Sequence, residues 1–522
     1  MKKIYFVITL LCLNFNFNYS QSDGSLDGTF GTGGRVTTDF LGLTDEVFDI
    51  AFQTDGKILA AGSARNSTTG TDFAVARYMP DGTLDSTFGI NGLVSVDIRG
   101  YSTSSNQTDI ARKVFVQTDG KIVLAGTCPR IPSDNTEESF AIIRLNSDGS
   151  LDTTYGTNGK TFFDLGIDSE CEDAVMLPDN SVIMMGSAEI NFDRYFAVAK
   201  VDPFGFLDTE FSIDGKQTAN VVNDVNANGF GGFVDQNNRI VMGGETGGEY
   251  VIMRFTPTGN LDTTFNGTGI VSTADVSGGN PEIISIGELS DGKIFAVAQH
   301  VTVNNFNIAL LRYNSDGTID TTFGNNGYLV IDIDNGSEDI PYDMVIQPDD
   351  KAIISGGYVS TSNDFYFLTL RVNTDGTLDT TFSSDGVRLE LFGTSSSYNA
   401  NTVNIQPDGK IIVGGGSGFT VCCNRDYALV RYSNNTLNID EIEEDQDISI
   451  YPNPTDNKII IKSNHSFLKF NIYDINSKLL KEVNLDQASF NHDISLEGLE
   501  KGVYFLKIIS NKGITVERII KQ

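Results

Sequence analysis

The sequence predicts an all-β protein: a seven-bladed β-propeller closed by shared N- and C-terminal strands, followed by a small Ig-like β-sandwich. Three observations predict it. The phrase L/I-D-x-x-F/Y recurs seven times, with its aspartates at Asp27, Asp85, Asp152, Asp208, Asp262, Asp320 and Asp379, in steps of 58, 67, 56, 54, 58 and 59 residues. A second phrase, of the type QTDGKI, also recurs seven times, beginning at Gln53, Gln117, Leu177, Asp235, Leu289, Gln347 and Gln406. Helical periodicity is absent through residue 439. A fixed period of this size marks one supersecondary unit whose neighbours bury each other's apolar faces.

Each unit reads as four strands. In the first, Glu46–Gln53 is strand a, and the TDG turn leads into strand b at Lys57–Ser63. Gly and Asn tolerate the positive φ that tight hairpins need. Asp72–Met79 is strand c, the connection PDGTLDSTFG follows, and Gly92–Ile98 is strand d. Four short antiparallel strands per repeat is the propeller signature. The ends complement each other. The first LD motif has no strands a to c before it, whereas the unit Asn399–Tyr432 has no strand d after it. Gly34–Phe40 is therefore expected to complete the last blade and hide its edge.

The repeated Asp is expected to do a structural job that all blades share, accepting backbone N–H groups in its turn. The Leu or Ile before it and the aromatic residue after it are expected to pack between sheets. A basic residue recurs upstream, at Arg77, Arg144, Lys200, Arg254, Arg312, Arg371 and Arg431, as a candidate partner. The competing reading is calcium, the one cofactor the composition suggests, because Asp-rich turns supply oxygen ligands. One carboxylate per turn is thin for that.

The chain carries 36 Lys and Arg against 69 Asp and Glu, a net charge of -33. Such a surface repels phosphates and anionic lipid, which disfavours nucleic acid or an anionic membrane as partner. Residues 1–20 read as a signal peptide: Lys2 and Lys3, an apolar run from Ile4 to Leu13, and Ser20 before Gln21. That run is too short to span a bilayer, and no other stretch approaches a transmembrane segment. Four cysteines remain after it. Cys128 and Cys171 are expected to approach each other on one face, pinning a long Thr127–Ser139 loop as a disulfide, with reduced thiols as the alternative. Cys422 and Cys423 read equally as a vicinal bond or two free thiols. The same face carries the long Arg99–Thr108 loop and is the candidate ligand face.

No catalytic constellation stands out. His300 is the only histidine before residue 440 and reads as a turn or edge residue. Paired carboxylates cannot be singled out in so acidic a chain. Trp is absent, which removes the sialidase-type Asp-box.

The pattern DGxLDxxFGxxG with QxDGKI resembles the delta-60 repeat family, whose members are regarded as β-propellers. The resemblance spans about residues 22–432 and implies a fold without an activity. The copies PFGFLD and PTGNLD depart from it by lacking the first Asp.

After Tyr432 the repeat stops. Asp440–Asp447 reads DEIEEDQD, an acidic linker. Residues 448–522 hold 10 Lys and Arg against 8 Asp and Glu. Strands are expected at Ile448–Tyr451, Lys458–Ser463, Phe467–Asp474, Gly502–Ile509 and Ile514–Ile520. The phrases ISIYPNPTDNKIIIKS, FNIYDINSKLLKE, LEGLEKGVYFLKI and ERIIKQ resemble the type A C-terminal sorting domain of the type IX secretion system, with Pro452, Asn453, Pro454, Gly502, Tyr504 and Lys521 on that family's layout. The resemblance implies the type IX machinery as partner, export across a Gram-negative outer membrane, then tail removal and release or surface attachment. The expected organisation is a signal peptide at 1–20, a propeller at 21–439, a linker at 440–447 and a sorting domain at 448–522. The functional expectation is an exported binding scaffold for an extracellular protein or glycan. The alternative is a secreted carbohydrate-active enzyme, a glycosidase or lyase, on the same scaffold.

Overall fold

The computed structural model describes residues 23–40, 42–100, 108–131, 134–221, 227–274, 279, 281–302, 305–392, 398–419, 424–434, 448–455, 457–473, 479–499, 501–510 and 513–521. The expected signal peptide, the acidic linker, most of the Arg99–Thr108 loop, Cys422 and Cys423 fall outside them. Two compact units divide the chain, Met1–Asn435 and Thr436–Gln522.

The first unit contains seven four-stranded antiparallel sheets. Blade 1 is Asp45–Phe52, Ile58–Asn66, Gly70–Tyr78 and Leu93–Val96, as strands a to d. Blade 2 is Ile110–Val116, Ile122–Ile131, Asp134–Leu145 and Lys160–Phe163. Blade 3 is Asp168–Met176, Val182–Ile190, Asp193–Val201 and Lys216–Ala219. Blade 4 is Ala227–Val234, Ile240–Thr246, Glu249–Phe255 and Ile270–Ala274. Blade 5 is Glu282–Glu288, Ile294–Val301, Phe306–Tyr313 and Tyr328–Ile331. Blade 6 is Glu338–Ile346, Ala352–Val359, Phe365–Val372 and Val387–Glu390. Blade 7 is Tyr398–Ile405, Ile411–Phe419 and Asn424–Tyr432, and its fourth strand is the N-terminal segment Arg35–Thr38.

Strands b and c are buried on both faces because each blade is sandwiched between two others, so they read as unbroken apolar runs such as FAVARY. One apolar cluster fills each of the seven blade junctions. The cluster between blades 7 and 1 joins Phe30, Ile50 and Ala74 to Ile412, Tyr427 and Leu429. The ring thus closes without a free sheet edge at the join.

The two ends of the strands differ. The a–b turn is five residues in every blade, and the c–d connection is 14 residues in blades 1 to 6, as in 79–92 and 146–159. The d–a connections run from four residues (164–167) to 13 (97–109), and the b–c turns also vary. One face of the propeller is therefore constant and the other variable. The 67-residue step traces to this variability, through the 97–109 connection and a longer b–c hairpin in blade 2. Thr127–Ser139, expected as a loop, is mostly hairpin, with Cys128 paired to Ser139 and Pro129 to Glu138.

The second unit is a five-stranded sheet folded over one core, in which Ile459, Ile461, Phe470, Ile472, Leu506 and Ile519 meet. Two departures from expectation share a cause. Lys458–Tyr473 is one long strand with register shifts near Phe467, where the polar Ser-Asn-His-Ser run reads as a break. Its partner, Leu479–Ser495, pairs along nearly its whole length although its own alternation is weak. Pairing supplied by a neighbour overrode local pattern.

Candidate functional site

The constant face is built by the LD motif. In every blade the Asp carboxylate meets the basic residue of strand c: Arg77–Asp85 at 2.9 Å, Arg144–Asp152, Lys200–Asp208, Arg254–Asp262, Arg312–Asp320 and Arg371–Asp379 at 2.8 Å, and Arg431–Asp27 at 2.9 Å. The other carboxylate oxygen closes the turn. For Asp85 it accepts the Thr87 N–H at 3.0 Å and hydroxyl at 2.6 Å. The Arg then reaches the next blade, as where Arg77 Nη1 donates to the Ser147 carbonyl at 2.6 Å. It also lies over the motif's aromatic ring, 4.4 Å from the centre of Phe88. Burial raises the Asp85 and Asp379 carboxyls. Their Thr donors and basic neighbours outweigh it and hold both near about 2.

A third partner was not foreseen. The Lys or Arg of the a–b turn reaches the same Asp: Lys121 to Asp152 at 3.0 Å, Lys293 to Asp320 at 3.3 Å and Lys351 to Asp379 at 2.9 Å, with Lys57, Arg239 and Lys410 at 3.5 to 3.7 Å from theirs. The two repeated phrases therefore bind each other. The recurrence of that base in QxDGK was the available signal. In blade 3 Ser181 takes the place of the turn base, and Lys200 holds Asp208. The seven carboxylates are thus committed to bases and turns, which leaves the calcium reading of these positions without free ligand atoms.

The motif's aromatic residue is buried in all seven copies, from Phe30 to Phe382. The residue before the Asp is half-buried and, at Leu26, Leu151, Leu207, Leu261, Ile319 and Leu378, packs against the apolar cluster of a blade junction as expected; Leu84, 37% exposed, is the exception. It pairs with the end of strand c and covers the motif's last glycine. That glycine, Gly92 in blade 1, has φ 96° and no room for a Cβ beside Leu84.

Strand a of every blade lines the central channel, which opens into a cavity of ≈ 540 Å³. Each strand a carries a β-bulge at the same level, at or beside Phe48, Arg112, Glu172, Phe230, Ile284, Tyr342 and Asn401. A bulge re-aims a side chain, and these seven face the cavity. Six residue types occupy the seven positions, only Phe recurring, where the repeat motifs are nearly constant. Glu46 pairs with Arg425 at 3.1 Å and Glu172 with Arg112 at 3.1 Å. Beneath them Lys113 lies 3.3 Å from Asp173. Burial pushes the Lys113 ammonium down, but Asp173, Asp49 and Asp343 outweigh it and hold it far above the usual lysine range. Burial pushes the Asp49 carboxyl up to about 6, against Lys113 and the Val114 N–H that donates to it. Asp173 and Asp343 likewise accept the Gly232 and Val403 N–H groups of the next blade.

Cys128 and Cys171 do not form the expected bond: both are free, buried thiols. Thr127 and Cys128 are successive strand residues and point to opposite faces of blade 2. Thr127 Oγ1 accepts the Cys171 N–H at 2.9 Å, whereas Cys128 packs towards blade 1. The sheet of blade 2 separates the two sulfurs. Burial pushes the Cys128 thiol up to about 12. His300, expected at a turn or edge, lies within strand b of blade 5, buried, with Nδ1 2.7 Å from the Tyr328 hydroxyl.

In the second unit the motif residues meet at one corner. The Asn453 side chain accepts the Ile520 N–H at 2.9 Å between two cis prolyl bonds, at Pro452 and Pro454. Gly502 pairs with Lys521, and the buried Lys521 ammonium donates to the Leu496 and Leu499 carbonyls at 2.9 and 2.6 Å. Tyr504 joins the core.

A protein-family model described as a domain of unknown function (DUF5122) beta-propeller matches residues 53–88, 117–155, 236–265, 289–323, 347–382 and 406–435. A second, described as the secretion system C-terminal sorting domain, matches residues 449–522. The chain is a delta-60 repeat β-propeller with a type IX sorting tail. The delta-60 propeller is consequently a secreted or outer-membrane surface-attached protein once its tail is removed. No helix among the described residues is long and apolar enough to cross a membrane. A search of curated proteins finds no match. Among solved structures, Sqt1 of Chaetomium thermophilum is 12% identical with a TM-score of 0.39, covering 80% of this chain and 99% of that one. The polysaccharide lyase Uly1 is 9% identical with a TM-score of 0.39, covering 79% and 97%. A Hadza microbial sialidase is 12% identical with a TM-score of 0.35, covering 59% and 63%.

Proposed function

We propose that the exported propeller is a binding scaffold whose ligand, a glycan end or a polar segment of an extracellular protein, enters the central channel from the variable face. The observation that carries this reading is the ring of seven bulges. A repeat that keeps its Arg, Asp, aromatic and turn residues in nearly every blade presents six kinds of side chain at seven bulge positions to one cavity. Variation at a concave site on a rigid frame, beneath a face of variable loops, is what recognition requires. The lining suits a polar, largely uncharged ligand. Among its carboxylates Glu46 and Glu172 are each matched by an arginine, Asp173 by Lys113, and Asp343 accepts the Val403 N–H, while Phe48, Phe230 and Tyr342 offer faces on which sugar or peptide can stack.

The test is a glycan and protein array probed with the exported form, followed by titration of each hit. Tyr342→Ala and Arg112→Ala should each weaken binding tenfold or more, as hot-spot residues do, with the melting temperature unchanged. Hits that bind both variants as tightly as the parent would place the ligand elsewhere.

A further inference from the structure

At two of the seven blade junctions, on the variable face, three carboxylates converge. Asp39, Asp45 and Asp426 meet between blades 7 and 1, and Asp72, Asp97 and Asp109 between blades 1 and 2. Within each set the oxygens lie within 4.8 Å of one another. The sets occupy equivalent places: the residue after strand d, the one three before the bulge residue of the next strand a, and the one preceding the first buried aromatic of strand c. We propose that these are two binding sites for a hard divalent cation of the calcium class.

Three further observations support the assignment. First, each set contains an orphan. One oxygen of Asp45, whose residue is 0% exposed, and one of Asp72, at 4%, are sealed from solvent with no hydrogen-bond partner. A buried carboxylate oxygen left so costs free energy unless something positive meets it. Second, an acid is not obligatory for the turn. Asp45 and Asp109 accept the N–H of Phe40 and Ile98 at 2.8 Å, as Asp339 does for Ile333 between blades 5 and 6, but between blades 2 and 3 Ser169 does the same for Leu165 at 3.0 Å. Third, where a single acid remains at that junction, the chain supplies a base. Asp164 is met by Arg130 at 3.0 Å and by the Ser139 hydroxyl. No ion pair to Asp39, Asp45 or Asp426 exists among the described residues. At the second set Lys160 donates to the backbone carbonyls of Asp97 and Ile98.

The donors are all oxygen, which selects a hard ion over zinc or copper. An ion at roughly 2.3–2.6 Å from each oxygen spans the observed separations, with water completing its shell.

The test is calorimetric titration of the full chain with Ca²⁺ and, in parallel, Mg²⁺, backed by Tb³⁺ luminescence sensitised through nearby Tyr427 and Tyr78. Two saturable sites are expected, with Kd of about 0.1–1 mM, as in extracellular calcium modules. Asp45→Asn should remove one and Asp72→Asn the other, while Asp164→Asn leaves both. Asn retains an acceptor for the Phe40 N–H, and Asp426→Asn gives a second variant of the first site should Asp45→Asn fail to fold. Saturating Ca²⁺ should raise the melting temperature of the parent and do so less in each single variant. Absence of saturable binding of either ion, or an unchanged stoichiometry in the Asp45→Asn and Asp72→Asn proteins, would overturn the proposal.

Discussion

Removal of residues 23–40 should unlatch the ring. That segment supplies strand d of blade 7 and touches three blades. Asp27 holds Arg431 in blade 7, Asp23 holds Arg371 in blade 6 at 3.0 Å, and the Gly31 N–H donates to the Asp81 carbonyl of blade 1 at 2.7 Å. Phe30 is fully buried in the junction between blades 7 and 1. Losing a buried Phe costs about 3–5 kcal/mol. Stripping a buried Arg of its carboxylate costs about 3–5 kcal/mol more, because the charge is left uncompensated. The Arg431–Asp27 pair qualifies, with side chains 5% and 4% exposed. The sum is roughly 8 kcal/mol before the exposed edge of strand c is counted. Unfolding entropy of about 2.1 cal/mol/K per residue, over roughly 400 residues, turns this into a fall of roughly 10 °C. The assay is thermal unfolding by circular dichroism of chains beginning at residue 21 and at residue 41. A synthetic peptide of residues 23–40 added in trans should recover part of the loss. Superimposable melting curves would refute shared-blade closure and the energies assigned to Asp27 and Phe30.

Two predictions concern pH and processing, beside the binding and cation tests already given. Asp85 and Asp379, held near about 2, contribute stability above the ordinary carboxylate range that is lost as pH falls through 2. Asp49 and Asp339, raised by burial to about 6, and Glu138, raised to about 8, contribute stability that is complete below their unfolded values and is lost as pH rises through 6 to 8. Melting temperature should therefore be highest near about pH 4 and fall progressively towards pH 8. Asp49→Asn with Asp339→Asn should flatten the alkaline limb, and a parent protein most stable at pH 8 would contradict the assignment. Mass spectrometry of the exported form should place its C-terminus within residues 440–447, and peptides from Gly502–Lys507 on intact surface protein would count against this.

The sequence by itself determined the blade count, the strand order and the closure, because each follows from local chemistry repeated at a fixed interval. Asp-Gly turns bend the chain, apolar runs fill b and c, and a stranded LD motif at one end matches a missing strand d at the other. It also marked the seven aspartates, since a residue kept in every copy must serve something every copy has. Only the tertiary structure decided what they touch. The Arg eight residues upstream and the turn Lys come from different strands, and their meeting depends on blade geometry. The cysteines show the same limit: the correct strand neighbourhood still left a whole sheet between Cys128 and Cys171, because alternation sends adjacent residues to opposite faces. The channel was invisible for a related reason. A bulge adds one residue and leaves the apolar pattern on either side intact, so Arg112 or Tyr342 looks like any strand residue until seven strands are brought around one axis. The acidic triads draw from two blades each, and in a chain of net charge -33 only folding could show which carboxylates are buried together.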